Sequence, residues 1–221
     1  MSRLVVKVGG AVAGESAGAV LELARRNEVC VVHGAGPQIS LEMERAGIPV
    51  EFVDGRRVTT PAAMAIVRAS LVAVNEALCA ALGSAAVPLL GDEIGLQGEP
   101  IPGLGLASTA VPSRPAAVIE ALDAGRIPVV APLAEGPLNV NADDGAAALA
   151  IGIAADSLVF LTDVDGLILD GAVVDRIDVD SADELLAGGT LEGGIIPKLG
   201  AAVTAARGGV PASIGRTAVA A

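Results

Sequence analysis

Two near-continuous apolar runs, at residues 4–8 and 29–33, enclose a stretch of helical spacing at residues 16–26. A strand with one wet face alternates apolar and polar side chains. Runs that are apolar on both parities belong to strands covered on both faces, the arrangement of a parallel sheet between helices. The pattern continues along the chain. After Gly34-Ala35-Gly36 a helix is expected over residues 37–46, with Pro37 suited to its first turn. Pro61 should start a long helix to about Leu82, and residues 87–90 read as a strand. Residues 91–112 are rich in Gly and Pro and predict a hairpin or an irregular excursion. Then come a helix at 115–124, a strand at 127–131, a short extended piece at 138–141 and a helix at 143–154 headed by Asn141 or Asp143. A strand at 157–162 runs into a tight turn, Asp163-Val164-Asp165-Gly166. Helices at 181–186 and 194–207 and a strand at 212–214 complete the chain. Strands alternating with helices predict an α/β fold, a three-layer α/β/α sandwich with a mostly parallel central sheet. Its sites belong at the carboxyl ends of the strands.

With 221 residues, 52% of them hydrophobic, the chain can build one large core or two lobes. Phe52 and Phe160 are its only aromatics, so that core is aliphatic and bases have little to stack on. A net charge of −12 argues against nucleic acid or an anionic membrane as partner. Cys30 and Cys79 sit in apolar stretches without a CxxC pairing and read as free thiols of a reducing compartment. No signal peptide is evident, and no apolar run reaches the roughly 18 residues of a membrane span. A soluble cytoplasmic protein is expected.

Among 14 basic residues only two are lysines, and both stand beside a double glycine. Lys7 precedes Val8-Gly9-Gly10; Lys198 closes Gly193-Gly194-Ile195-Ile196-Pro197. Glycine lets backbone amides approach an anion, and an ammonium is a compact charge suited to phosphate. Both lysines are therefore candidates for contact with a transferring phosphoryl group, against the plainer reading of two surface lysines. The Walker A pattern, the GxGxxG fingerprint before a helix, the protein-kinase motifs and the GxSxG elbow are all missing. His33, the only histidine, lacks partners for a triad or a zinc site and is read as structural. Arg57 can hold a carboxylate bidentately, whereas Arg56 is read as solvated. Asp143 is either a helix cap or a carboxylate set between the two lysines.

Six blocks, in order and spread over nearly the whole chain, resemble the amino-acid kinases, and within them the N-acetylglutamate kinases of arginine biosynthesis. They are Val6-Lys7-Val8-Gly9-Gly10, Val31-Val32-His33-Gly34-Ala35-Gly36-Pro37-Gln38-Ile39, Val53-Asp54-Gly55-Arg56-Arg57-Val58-Thr59, Asn139-Val140-Asn141-Ala142-Asp143, Leu161-Thr162-Asp163-Val164-Asp165-Gly166-Leu167 and Gly193-Gly194-Ile195-Ile196-Pro197-Lys198. The G-x-R-V-T element is similar to that of acylglutamate kinases rather than of carbamate, uridylate or aspartate kinases.

The resemblance implies transfer of the ATP γ-phosphoryl group to the side-chain carboxylate of N-acetyl-L-glutamate. It implies an N-terminal lobe, residues 1–154, for the acylamino acid and dimerisation, and a C-terminal lobe, residues 155–221, for ATP. Lys7 and Lys198 would be catalytic, with Asp143 holding both ammonium groups. Ala35, Gly36, Arg57 and Asn139 would bind the acceptor. Gly9, Gly10, Thr162, Asp163, Gly166, Leu167, Gly193 and Gly194 would line the nucleotide site. Mg²⁺ would be held by ATP phosphates rather than by a protein cage. A homodimer is implied. Four departures stand out. Ala35 replaces the middle glycine of the family's loop, where positive φ would be costly. Gly105-Leu106-Ala107-Ser108-Thr109-Ala110 replaces Gly-Leu-Val-Gly-Glu-Val. The stretch after Gly209 is expected to lack the usual closing strands. The start of the chain at its first strand leads to the expectation of a dimer without arginine feedback, since arginine-inhibited relatives carry an extra N-terminal helix. Two other readings remain: a sister kinase for carrier-linked or N-acetylated aminoadipate or glutamate in lysine biosynthesis, and a non-catalytic regulatory member of the fold. The lack of a basic docking stretch weighs against the first; retention of both lysines and Asp143 weighs against the second.

Overall fold

A computed structural model of the protein describes residues 1–10, 15–162 and 164–221. The chain opens with β1 (Ser2–Val8), α1 (Ala17–Ala24), β2 (Asn27–His33), α2 (Gly36–Arg45), β3 (Phe52–Val53), β4 (Arg56–Arg57), α3 (Pro61–Leu82) and β5 (Ala86–Leu90). The middle holds β6 (Gln97–Pro100), β7 (Ala107–Val111), α4 (Ala116–Asp123), β8 (Ile127–Ala131), β9 (Leu133–Ala134), β10 (Leu138–Val140) and α5 (Ala142–Gly152). The remainder is β11 (Ser157–Leu161), β12 (Ile168–Leu169), β13 (Ala172–Val173), β14 (Arg176–Asp178), α6 (Val179–Gly188), α7 (Ile195–Arg207), β15 (Ala212–Ile214) and β16 (Thr217–Ala220).

Eight strands form the main sheet in the order β14-β16-β15-β11-β1-β2-β8-β5. Its pairings are parallel except that of β15 with β16. Both parities of its strands are apolar because both faces are covered. Val6, Val8, Val31 and Val129 pack with Val20 of α1, Met43 of α2 and Leu71 of α3. Val5, Val32, Val130 and Phe160 pack with Leu122 of α4, Leu149 of α5 and Leu199 of α7. The three-layer α/β/α expectation is met. Strands from residues 1–154 lie on one side of the seam between β1 and β11, and those from 155–221 lie on the other.

The α3 helix is long and apolar enough to pass for a membrane span by composition, which the search for uninterrupted apolar runs did not flag. Here it is a core helix, burying Val67, Leu71, Val74 and Leu78 in the cluster under the sheet. The Gly/Pro-rich stretch 91–112 does form a hairpin, β6 with β7, but it joins β10 and β9 in a second sheet of four strands. The expected loss of closing strands does not occur. The chain turns at Gly215, with φ 53°, and β16 pairs back on β15 to finish the sheet. The positive φ that would have been costly at Ala35 does not occur: its φ is −142°.

Candidate active site

On β1 the side chains alternate, so Lys7 shares the parity of Val5 and faces the α5 layer rather than α1–α3. Helix α5 is capped by Asn141, whose side-chain oxygen accepts from Asp143 N at 2.8 Å. That cap fixes the first turn and turns Asp143 towards β1. Lys7 Nζ lies 2.6 Å from Asp143 Oδ1, and the two side chains are only 7% and 8% exposed. No hydrogen bond of good angle accompanies this approach, so the contact is an ion pair more than a directed bond. Burying two charges is costly even when they are paired. Such a pair at the end of a central parallel strand marks a functional site.

A cavity of about 280 Å³ opens beside it. Lys7, Gly10, Ala35, Gly36, Arg57, Asn139 and Asp143 are on its walls. Gly10 allows two loops to touch: a Cβ there would stand 2.7 Å from Gly34 O and 2.8 Å from Ala35 Cα. Ala35 and Gly36 head α2, where backbone amides attract anions. Arg57 is 6% exposed. Its Nη2 donates to Gly36 O at 3.1 Å and Ser40 Oγ at 2.9 Å, and its guanidinium lies 4.6 Å over the Phe52 ring. Among the described residues it pairs with no carboxylate. Asn139 Nδ2 donates to Thr59 Oγ1 at 2.9 Å, and that hydroxyl donates to Arg57 O at 2.9 Å. Thr59 is fully buried and ties Asn139 to the Arg57 backbone. The sequence reading passed over it, although it stands within the G-x-R-V-T block.

A second concavity, about 500 Å³, is walled by Thr162, Gly166, Leu167, Gly194 and Lys198. Gly193 lines a third, of about 510 Å³, which shares Gly55, Arg56 and Asn141 with the first. Gly9 lines none of the three. Asp163 lies outside the described residues. Thus the four residues expected at the acceptor line one cavity, and four of the eight expected at the nucleotide line another. Lys7 lines the first of these cavities and Lys198 the second. Lys198 Nζ donates to Gly194 O at 3.0 Å, four residues back on its own helix. Among the described residues the ion pair of Asp143 is with Lys7, not with Lys198. Arg56 is not solvated as expected: its Nη2 sits 2.7 Å from Asp144 Oδ2.

His33, at the end of β2, is fully buried and touches Asn75 Nδ2 at 3.0 Å through Nε2. Burial pushes its pKa down to about 4, so it is neutral at working pH. Its ring nitrogens lie against the Asn75 amide and the Gly34 carbonyl.

The profile of the family described as "Amino acid kinase family" matches residues 2–216. The chain belongs to the amino acid kinase family. A curated relative from Rubrobacter xylanophilus named "Acetylglutamate kinase" is 41% identical to this amino acid kinase, over 97% of this chain and 88% of its own. Another of that name, from a Nocardioides species, is 44% identical over 82% of this chain and 64% of its own. Among solved structures, smu.665 from Streptococcus mutans superposes with a TM-score of 0.88 at 27% identity, covering 99% of this chain and 98% of that one.

Proposed function

We propose that this chain transfers the γ-phosphoryl group of ATP to the side-chain carboxylate of N-acetyl-L-glutamate, giving an acyl phosphate and ADP in arginine biosynthesis. The observation that carries the reading is Arg57: a buried guanidinium with no carboxylate partner among the described residues, on a cavity that also holds the Lys7–Asp143 pair. A site that keeps a cation buried without a counter-ion is built to receive an anion. The relatives named acetylglutamate kinase support the choice of anion. A cavity of about 280 Å³ suits a small metabolite.

In this reading Arg57 pairs with the α-carboxylate of the acceptor, while Ala35 and Gly36 offer amides and Asn139 binds near the acetamido group. The reacting carboxylate has a reference pKa of about 4.3 and is already ionised, so no general base is required. That agrees with a site whose one histidine is buried and neutral. The difficulty is to bring two anions together and stabilise charge on the phosphoryl oxygens. Lys7 supplies a point charge at the transferring group, and Asp143 orients it. Lys198 acts on the leaving side, with Gly9, Gly10, Gly193 and Gly194 giving backbone amides. Thr162, Asp163, Gly166 and Leu167 belong to the adenosine site. Because Lys7 and Lys198 line different concavities, the mechanism requires the segment of Gly193–Lys198 to approach β1 when ATP is bound. Among the described residues no cluster of His, Cys, Asp and Glu is arranged to cage a cation. Mg²⁺ would therefore ride on the phosphate oxygens, as it commonly does, and no residue is assigned to it. Residues 1–154 would serve the acceptor and dimerisation, and residues 155–221 ATP, in a cytoplasmic homodimer.

A hydroxamate assay for the acyl phosphate, coupled to ADP release, tests the reading with N-acetylglutamate, glutamate, N-acetyl-aminoadipate and aspartate as acceptors. Turnover confined to N-acetylglutamate is expected. ATP binding without turnover on any acceptor would replace it with a regulatory role.

A further inference from the structure

Arg56 and Arg57 are consecutive on β4 and so leave the ribbon on opposite sides. Asp143 and Asp144 are consecutive in the first turn of α5 and diverge by about 100° around its axis. Arg57 reaches back to α2, and Asp143 reaches Lys7. The other member of each pair turns to its counterpart: Arg56 Nη2 and Asp144 Oδ2 are 2.7 Å apart, with side chains 32% and 21% exposed. Asn141 Nδ2 adds a long second tie, 3.4 Å to Gly55 O, between the same two elements. Arg56 stands on the walls of both the 280 Å³ and the 510 Å³ cavities. Its Nε is buried without a hydrogen-bond partner.

The charge balance of this corner bears on the reaction. Two carboxylates project from one helical turn towards a site that must admit two anionic substrates. Lys7 neutralises Asp143. Nothing on α7 can neutralise Asp144, because the α7 residues on that cavity are Ile196, Pro197, Gly200 and Thr204. The charged groups around Asp144 are Arg56, Asp54 on the same ribbon and Asp143 on its own helix. Burial raises the Asp144 pKa, the Arg56 guanidinium opposes that rise, and Asp143 adds to it. Without Arg56 the site would hold an extra, partly desolvated negative charge.

We propose that Arg56 is a positioning residue acting through Asp144: it cancels that carboxylate's charge where the ribbon meets α5, so that two anions can occupy the neighbouring cavities together. The inference rests on the phosphotransferase reading of the site, and its test separates the two. Arg56→Leu, Asp144→Asn and the double variant are compared in the full chain. KM and kcat are measured from pH 6 to 8.5, and Mg-ADP affinity is measured by calorimetry, which needs no acceptor. Arg56→Leu should weaken ADP binding and raise both KM values by on the order of ten-fold at pH 8. Asp144→Asn in the Arg56→Leu background should restore ADP affinity to within about three-fold of wild type, a rescue that loss of a merely structural tie would not give. Arg56→Gln, which is shorter but keeps a polar end without charge, must reproduce the Arg56→Leu shift and serves if that variant folds poorly. An ADP affinity unchanged in Arg56→Leu and Arg56→Gln, or a double variant no better than the single one, overturns the proposal. Wild-type turnover on some other acceptor would overturn the acceptor assignment and leave the ADP comparison intact.

Discussion

His33 should make this protein acid-sensitive in a pH range set by one residue. Val129 O can only accept, so the Asn75 atom 2.9 Å from it must be the amide nitrogen. The same nitrogen lies 3.0 Å from His33 Nε2, which must then present its lone pair. A proton on Nε2 would set N–H against N–H inside a site with no access to water. Burial puts the folded pKa at about 4, against 6.5 in the unfolded chain. The folded pKa is the lower one, so the stabilisation is fully present above pH 6.5 and is lost as pH falls from 6.5 towards 4. Each unit in that interval costs about 1.4 kcal/mol, and the whole shift corresponds to roughly 3 kcal/mol. Carboxylates titrate in the same range, so the comparison must be differential. Urea unfolding of wild type and His33→Gln at pH 7 and at pH 4.5 should show wild type losing about 2–3 kcal/mol more than the variant. With a single histidine in the chain, the imidazole resonance in an NMR titration is unambiguous. It should stay that of a neutral ring down to about pH 4. A midpoint near 6.5, or equal acid losses in the two proteins, would refute the reasoning. Because His33 directly precedes the Gly34–Gly36 loop, acceptor KM should rise in the same interval.

Three further perturbations probe the site. Lys7→Arg should lower kcat at least about a hundred-fold in the coupled ADP assay, because a planar fork cannot take the place of a buried point charge 2.6 Å from Asp143; near-normal kcat rejects the role of Lys7. Gly10→Ala places a methyl against the Gly34–Ala35 backbone and should cost about 1–3 kcal/mol in urea unfolding while raising acceptor KM; an unchanged KM would show that the loop contact is not needed for binding. Asn141→Ala should cost about 1 kcal/mol in thermal unfolding by loss of the cap, with a fall in kcat beyond that of a surface cap, since Asp143 loses its orientation; a stability loss with kcat intact would detach the cap from catalysis.

The layered fold was legible because its signal is local. Val5 and Val6 announce two covered faces within two residues, and Thr60-Pro61 announces a helix start that the structure realises with Thr60 Oγ1 accepting from Ala63 N at 3.1 Å. What escaped is what depends on distant partners. The excursion at 91–112 has little pattern of its own and becomes a sheet because β10, some thirty residues on, pairs with Ala107 and Ser108. Thr217 looks like an ordinary residue near a terminus. It is fully buried, accepts from Leu167 N at 2.8 Å and donates to Val174 O, and so braces the second concavity from fifty residues away.

The candidate site divides along the same line. Arg57 and Asn139 come together on one cavity, and Gly10, expected on the nucleotide side, joins them with Gly34, because each lies in or next to a strand end and strand ends of these sheets converge. Arg56 was read as solvated because a doublet of arginines on a ribbon normally has one wet member. Here Asp144 takes that member, and only the packing of the ribbon on α5 could disclose it. Lys198 is the opposite case. It sits in the first turn of α7, and a lysine at that position can fold onto the carbonyl four residues before it, as it does with Gly194 O. The phosphate of ATP must therefore compete with a backbone carbonyl for that ammonium. A phosphate oxygen carries formal charge and a carbonyl oxygen does not, so Coulomb attraction favours the nucleotide. In the proposed closure of Gly193–Lys198 towards β1, the charge of the phosphate is what would draw that ammonium across the cleft.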